Sequence, residues 1–231
     1  MTTATQLKDL AEAASGQLAN ATAAEALEWT ARTFGDNWIL ASNMQDAVLI
    51  DLAVKAKPDF DVLFLETGYH FPETIGLRDA VAATYSGINI INAAPDKTVA
   101  EQDAESGPRL YEREPDRCCA MRKVVPLRRT LANYDAWVTG VRRVDAPTRA
   151  NTPIVQWDER NNLVKVNPIA PWTDEEFRRY IDENGILENL LVAEGYLSIG
   201  CAPCTAKVAP GADARSGRWA GKNKIECGLH G

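Results

Sequence analysis

The feature that most constrains the fold is the alternation of short apolar runs with longer amphipathic segments in the first third of the chain. Residues 38–41, 61–65 and 88–91 have the length and composition of buried strands. The segments around them predict helices at 23–34, 47–56 and 72–85. Alternating strands and helices predict a mostly parallel sheet with helices on both faces, which is an α/β fold. Since ligands of such sheets bind beyond the carboxyl ends of the strands, residues 42–46 and 66–69 are the expected place for a site.

The rest of the chain continues this pattern less regularly. Residues 95–115 read as a polar connection, and a helix is expected near Cys118, either kinked or restarted at Pro126. Later predicted elements are a strand at 136–140, a hairpin of 154–157 with 163–166, and a helix to about 184 capped by Thr173 and Glu176. No element is predicted after residue 204. We therefore expect one α/β domain over 1–204 and a mobile C-terminal tail over 205–231.

Charge and hydropathy exclude several classes of function. The 231 residues carry a net charge of −7, with 25 Lys and Arg against 32 Asp and Glu, so tight nonspecific nucleic-acid binding is not expected. No apolar run approaches the roughly 20 residues that span a bilayer, and the N-terminus does not look like a secretory signal. These features predict a cytoplasmic protein without a membrane partner. An anionic ligand would need a local cluster of basic side chains.

The five cysteines divide into four clustered residues and one isolated residue. Cys118 and Cys119 are adjacent, Cys201 and Cys204 form a Cys-x-x-Cys turn, and Cys227 stands alone near the end. In a reducing compartment, clustered cysteines indicate metal or redox chemistry rather than disulfides. Neighbouring helical side chains diverge by about 100°, which favours a [4Fe-4S] cluster over one zinc ion. Structural zinc, and four buried thiols that bind nothing, remain open on the spacing alone.

Cys227 has neighbours that suit a reactive thiol. Lys224 and His230 can carry positive charge, which would lower a thiol pKa, and Gly228 permits close approach of the backbone to a ligand. A terminal cysteine can equally be an exposed thiol without function. Both interpretations remain open from the residues themselves.

Six motifs along the chain resemble those of the assimilatory adenylyl-sulfate (APS) reductases within the sulfonucleotide reductase family. They are ETGYHFPET at 66–74, CCAMRK at 118–123, GYLSIG at 195–200, CAPC at 201–204, RSGRW at 215–219 and ECGLH at 226–230. The resemblance extends from about Trp38 to the last residue. Two positions depart from the family pattern: Glu66 stands where Asp is commoner, and WAG at 219–221 replaces a Trp-rich run.

The resemblance implies an adenine-nucleotide α-hydrolase-like, Rossmann-like fold and the reduction of adenosine 5′-phosphosulfate (APS) to sulfite and AMP. Cys227 would be the nucleophile that forms an S-sulfocysteine, with thioredoxin or glutaredoxin as the reductant and possible homo-oligomerisation. The implied ligands of a [4Fe-4S] cluster are Cys118, Cys119, Cys201 and Cys204. The implied substrate contacts are Ser42, Lys123, Gly140, Arg142, Arg149, Arg215 and Arg218, with Lys224 and His230 in support.

Two rival activities remain open at this point. A reductase of the 3′-phosphorylated nucleotide (PAPS) is the nearest, although the four-cysteine set favours APS. An ATP-pyrophosphatase-type thiolating enzyme of the same fold would carry a Ser-Gly-Gly-x-Asp-Ser loop, whereas residues 42–46 contain no glycine.

Overall fold

The computed structural model describes residues 2–221, 224 and 226–229, and their central feature is a six-stranded sheet. The strand order is β3-β2-β1-β4-β6-β5, parallel throughout except that β5 pairs antiparallel with β6. The strands are β1 (Trp38–Ala41), β2 (Asp61–Leu65), β3 (Asn89–Ala93), β4 (Ala136–Thr139), β5 (Val155–Asp158) and β6 (Leu163–Val166). The order reverses beside β1, so β1 and β4 form the switch point at which α/β sheets bind ligands.

Ten α-helices lie among the described residues, together with short 3₁₀ turns. The helices are α1 (Ala4–Gln17), α2 (Ala23–Phe34), α3 (Val48–Ala56), α4 (Pro72–Thr84), α5 (Val99–Ser106), α6 (Leu110–Arg113), α7 (Pro115–Cys119), α8 (Val125–Leu131), α9 (Asp174–Asn184) and α10 (Leu190–Ala193). None of them is long and apolar enough to cross a membrane.

Helices cover both faces of the sheet, as predicted. Alternate strand residues such as Leu40 and Val138 face the larger core with α1 to α4 and α9. The residues between them, such as Ile39 and Trp137, face a smaller core that α8 covers with Leu127. The α/β fold and its mostly parallel sheet are therefore confirmed.

The boundaries of most predicted elements agree with the structure within a few residues. The prediction that residues 95–115 form a polar connection without regular structure was wrong. This segment contains α5, whose first turn is capped by Thr98 with Glu101, and the short helix α6. Only Gln102 of α5 is buried, so the helix has no apolar stripe for a periodicity argument to detect. Helix α1, which the sequence analysis did not predict, packs against the β5–β6 hairpin.

Helices α7 and α8 are joined by one turn of π-helix, Ala120–Val124. The N–H of Val125 donates to the carbonyl oxygen of Ala120, five residues earlier. Pro126 follows at once, and a proline inside a regular α-helix would clash with the carbonyl four residues before it. The wider π turn relieves this conflict, so the helix continues through the proline. The turn also carries Arg122 and Lys123, both of which are buried.

The described part of 205–231 packs against the domain. Thr205 and Arg218 form an antiparallel bridge, and the Ala206 N–H donates to the Gly217 carbonyl at 2.9 Å. The Trp219 N–H donates to the Cys204 carbonyl at 3.0 Å, and the Trp219 side chain is buried. Mobility of the tail and the domain boundary at 204 stay predictions.

Candidate active site

The loops that follow β1, β2 and β4 meet at the switch point. The Ser42 N–H donates to the Leu63 carbonyl at 3.0 Å, and the Ser42 hydroxyl accepts from the Met44 N–H at 3.2 Å. Met44 is fully buried at a φ of 56°, a conformation that non-glycine residues rarely adopt. Gly140 directly follows β4, and a Cβ added there would lie at an ordinary contact distance of 3.8 Å from the nearest side chain. Ser42 and Gly140 therefore lie at the edge where a ligand is expected.

Four of the five cysteines line one cavity beside these loops. Cys118, Cys119, Cys201 and Cys204 share it with Tyr69, Tyr111, Pro115, Arg122, Lys123, Pro203 and Trp219. The Cys201 thiol lies 3.4 Å from the Thr67 hydroxyl, and the Ala202 N–H donates to the Tyr69 carbonyl at 2.7 Å. The predicted convergence of the two cysteine pairs is present in the structure.

The electrostatics of this cavity oppose four free thiolates. Burial raises the pKa of Cys118 to about 12, and the neighbouring thiols of Cys119, Cys201 and Cys204 act in the same direction. Burial also raises the pKa of Cys119, although Lys123 and Lys224 oppose it. A bound cationic group would remove this cost, because metal binding deprotonates the thiols that ligate it.

The cavity presents the four thiols that a sulfur-ligated cluster requires, and the cluster itself stays a prediction. Among residues 2–221, 224 and 226–229, no group of three or more Cys, His, Asp or Glu side chains is placed to hold a metal ion. A cluster accepts thiolates that lie farther apart, since each binds a different iron. The indole Nε1 of Trp219 is buried on the wall of the cavity without a hydrogen-bond partner among the described residues. Such a donor suits sulfur acceptors.

Arg122 holds the cavity to the sheet, and the sequence analysis did not identify it. Its Nε donates to the Thr67 carbonyl, its Nη1 donates to Gln102 Oε1 at 3.0 Å, and its guanidinium lies 5.3 Å from the Tyr69 ring. The loop after β2, helix α5 and the π turn are thereby joined by one side chain. Gly68, at a φ of 72°, approaches the same guanidinium so closely that an added Cβ would lie 3.0 Å from Nη2.

Lys123, which is buried, and Arg218, which is partly buried, both interact electrostatically with Cys227. Burial would lower the pKa of Lys123, but the thiols of Cys201 and Cys227 outweigh it and the pKa lies above its usual value. Burial lowers the pKa of Arg218, although Cys227 and Cys201 favour its charged form. The Arg218 guanidinium lies 4.5 Å from the Trp219 ring, and its Nε has no hydrogen-bond partner among the described residues. The two cations therefore offer an anion site next to an isolated thiol.

Arg149 and Arg215 meet on one carboxylate, that of Glu226. Arg149 donates from Nε and Nη2 to the two Glu226 oxygens, both at 2.9 Å, and Arg215 Nη2 donates to Oε2 at 3.1 Å. Arg149 also contacts Asp145 at 3.4 Å. These two predicted anion ligands thus lie together, one residue away from Cys227.

Arg142 is joined to this group through Asp145, whose carboxylate it shares with Arg149. Its guanidinium pairs with Asp145 at 2.8 Å and Asp174 at 2.9 Å and stacks on Phe177 at 4.6 Å. It therefore fastens the loop after β4 to the start of α9, and its role toward a substrate stays a prediction.

The supporting residues of the tail are only partly described. Lys224 pairs with Asp116 at the start of α7, and its Nζ lies 5.4 Å from the Trp219 ring. His230 lies outside the described residues. The other histidine, His70, is also part of this region: its Nε2 lies 2.9 Å from the Leu65 carbonyl, and burial lowers its pKa.

Comparisons with known proteins show the family of the chain. Residues 37–207 match the phosphoadenosine phosphosulfate reductase domain, and the chain belongs to that family. Proteins named adenosine 5′-phosphosulfate reductase are among its relatives. The one from Mycolicibacterium smegmatis is 60% identical over 99% of this chain and 96% of its own, and the one from Streptomyces coelicolor is 57% identical over 99% and 97%.

Solved structures support the same fold. The crystal structure of phosphoadenylyl-sulfate (PAPS) reductase from Candida auris, a phosphate complex, has a TM-score of 0.73 and 28% identity, covering 85% of this chain and 96% of that one. FMN adenylyltransferase of Candida glabrata has a TM-score of 0.55 at 13% identity, covering 87% and 75%, and shares the fold alone.

Proposed function

We propose that this protein is an adenylyl-sulfate reductase, which converts adenosine 5′-phosphosulfate and a dithiol into sulfite, AMP and a disulfide. The relatives named above support this activity. The observation that carries the proposal is the division of the cysteines: four line one cavity, while Cys227 interacts electrostatically with the cations Lys123 and Arg218. This division separates a nucleophile from a group of ligands.

In the first step the Cys227 thiolate attacks the sulfur of the phosphosulfate. A new S–S bond forms, the bond between sulfur and the bridging oxygen breaks, and its electron pair leaves with AMP. Lys123 and Arg218 stabilise the charge on the sulfate and phosphate oxygens as it develops. Arg149, Arg215, Ser42 and Gly140 complete the substrate contacts.

In the second step a dithiol reductant releases sulfite. One thiolate of thioredoxin or glutaredoxin attacks the Cys227 sulfur, and sulfite leaves with the electrons of the broken S–S bond. The second thiol of the reductant resolves the mixed disulfide and restores Cys227. The two electrons that reduce the substrate thus come from thiols.

The four remaining cysteines would hold a [4Fe-4S] cluster, which fits the electrostatics and the unpaired indole of their cavity. Such a group would supply charge stabilisation near the substrate and hold α7 to the 201–204 turn. A cytoplasmic location and a homo-oligomer stay predictions.

A single-turnover experiment tests the nucleophile. Protein incubated with adenosine 5′-phosphosulfate and no reductant should gain one SO₃ group on the tryptic peptide of residues 225–231, and reduced thioredoxin should release it as sulfite. Cys227→Ser should retain the cluster and AMP binding yet form no adduct, because serine has no thiolate character at neutral pH. An adduct on Cys118, Cys119, Cys201 or Cys204 would refute the assignment.

The main alternative is a PAPS reductase, which the name of the matching domain and the Candida auris structure favour. Parallel assays with the two nucleotides separate the activities. We expect the ratio of kcat/KM to favour adenosine 5′-phosphosulfate, and a preference for the 3′-phosphorylated nucleotide would replace the proposal with the alternative.

A further inference from the structure

The Arg149–Arg215 pair is a formed anion site that already contains an anion. The fork of Arg149 binds both oxygens of Glu226, which is the geometry that guanidinium groups use for phosphates and carboxylates alike. The three side chains are 12%, 19% and 24% exposed, so the charges are largely removed from water. The Coulomb attraction within such an ion pair is stronger than in a pair that is fully exposed to water.

A third basic side chain, Lys165, interacts electrostatically with the same carboxylate. Lys165 is buried on β6, with its Nζ 5.1 Å from the Trp137 ring. It interacts electrostatically with Glu226 and with Arg149. The Glu226 carboxylate is therefore bound by two arginines and lies within the electrostatic influence of Lys165.

The position of Glu226 in the chain links this anion site to the nucleophile. Cys227 is the next residue, and Leu229 packs against the smaller core on the sheet face that carries Ile39 and Trp137. The 226–229 segment is thus held at the switch-point end by one charged and one apolar contact. Loss of the charged contact would free the segment that carries the thiol.

We propose that Glu226 is a positioning residue that occupies the Arg149–Arg215 anion site in the free protein, and that the phosphate or sulfate group of the substrate displaces it. The inference rests on the proposed function, which assigns these arginines to the substrate. Two anions compete for one pair of guanidinium groups, so substrate binding and docking of the tail through Glu226 oppose one another. By thermodynamic linkage, docking of the tail weakens substrate binding by the same factor by which substrate binding weakens docking of the tail.

Binding measurements on Glu226→Gln test the competition without turnover. Removing the competing charge should tighten binding of AMP by about tenfold or more, measured by titration calorimetry on the complete protein. Adenosine, which lacks the phosphate, should bind both proteins equally. Glu194→Gln is the matched control, because Glu194 pairs with Lys207 at 3.1 Å on the surface and should leave both affinities unchanged.

Reactivity of Cys227 gives the second readout. Iodoacetamide should label the 225–231 peptide faster in Glu226→Gln than in the wild type, and AMP should accelerate labelling of the wild type only. A loss of structure alone would not tighten AMP binding, and Glu226→Asp should restore part of the competition. Equal AMP affinity in the wild type and Glu226→Gln would overturn the proposal, and so would equal tightening of adenosine or slower labelling of the wild type with AMP.

The test is separate from that of the proposed function. Sulfite production by the wild-type protein measures the activity, whereas AMP affinity in Glu226→Gln measures the competition. If the wild-type protein produces sulfite but Glu226→Gln binds AMP with unchanged affinity, only the proposed role of Glu226 is refuted.

Discussion

The contact between Gly200 and Arg218 allows the anion site to be disturbed without removing any charged group. A Cβ added at Gly200 would lie 2.4 Å from Arg218 Nη2 and 2.6 Å from its Cζ. Ordinary contacts begin at about 3.4 Å, so Gly200→Ala should push the guanidinium away by about 1 Å. The guanidinium ends a flexible side chain, and we therefore expect the fold to persist.

The magnitude follows from the role of Arg218 beside Cys227. A hydrogen bond to a charged group contributes about 1.5–3 kcal/mol, and each 1.4 kcal/mol is a factor of ten. A misplacement of about 1 Å in a catalytic site can cost about a hundredfold. We expect Gly200→Ala to lower kcat/KM for adenosine 5′-phosphosulfate by roughly ten- to a hundredfold, approaching the loss caused by Arg218→Ala.

Steady-state release of AMP and sulfite, with thioredoxin in excess, measures the effect. If Gly200→Ala acts through the guanidinium, the double variant Gly200→Ala/Arg218→Ala should be no worse than Arg218→Ala alone. Gly76→Ala is the matched control, because an added Cβ there contacts nothing within 4 Å. Additive losses in the double variant, or wild-type kcat/KM in Gly200→Ala, would refute the reasoning.

Three further predictions concern the metal site, the pH dependence of stability and the tail. Cys119→Ser or Cys201→Ser should lose iron and sulfide together with activity, as determined by chemical analysis and the visible spectrum; full retention of iron would contradict the ligand assignment. Burial raises the pKa of Asp46 to about 6, so its folded form binds a proton more tightly than the unfolded chain and its contribution to stability falls as pH rises from about 4 to 6. Asp46→Asn should raise the free energy of unfolding at pH 7 by up to about 3 kcal/mol and change it little at pH 3.5, as measured by denaturant titration; the same gain at both pH values would exclude this cause. Gly217→Ala would place a Cβ 2.2 Å from the Ala206 carbonyl oxygen and should abolish activity with little change in the thermal midpoint of the domain, whereas wild-type activity would show that the 206–217 pairing is dispensable.

The sequence predicted the sheet well because its strands are short, apolar and bounded by turns. It predicted the helix that Thr173 and Glu176 cap for a local reason, since the capping box lies within four residues. It missed α1, whose buried Leu7, Ala11 and Ala14 form only a narrow stripe among polar residues. Tertiary contacts, more than amphipathicity, determine such a helix.

The candidate site was predictable in its chemistry but not in its pairings. Cysteine spacing indicated four residues that converge, and the structure places those four around one cavity, whereas the separate role of Cys227 stays a prediction. The pairing of Arg149 with Glu226 spans 77 positions, and that of Arg122 with Thr67 spans 55. Local sequence patterns do not predict contacts between residues so far apart in the chain. The contact of Glu226 with the Arg149–Arg215 pair could therefore be found only from the structure.

The π turn between Cys119 and Val125 makes the cavity depend on the number of residues as well as on their identity. Removing one residue from 120–124, such as Ala120, would let the helix continue in regular α-helical form, while all five cysteines, Arg122 and Lys123 would remain. One α-helical residue corresponds to a rotation of about 100°, so the adjacent cysteines would turn away from Cys201 and Cys204 while α8 kept its place on the sheet. A homologue shortened by one residue at this turn should therefore have lost the cavity even if it retains all five cysteines.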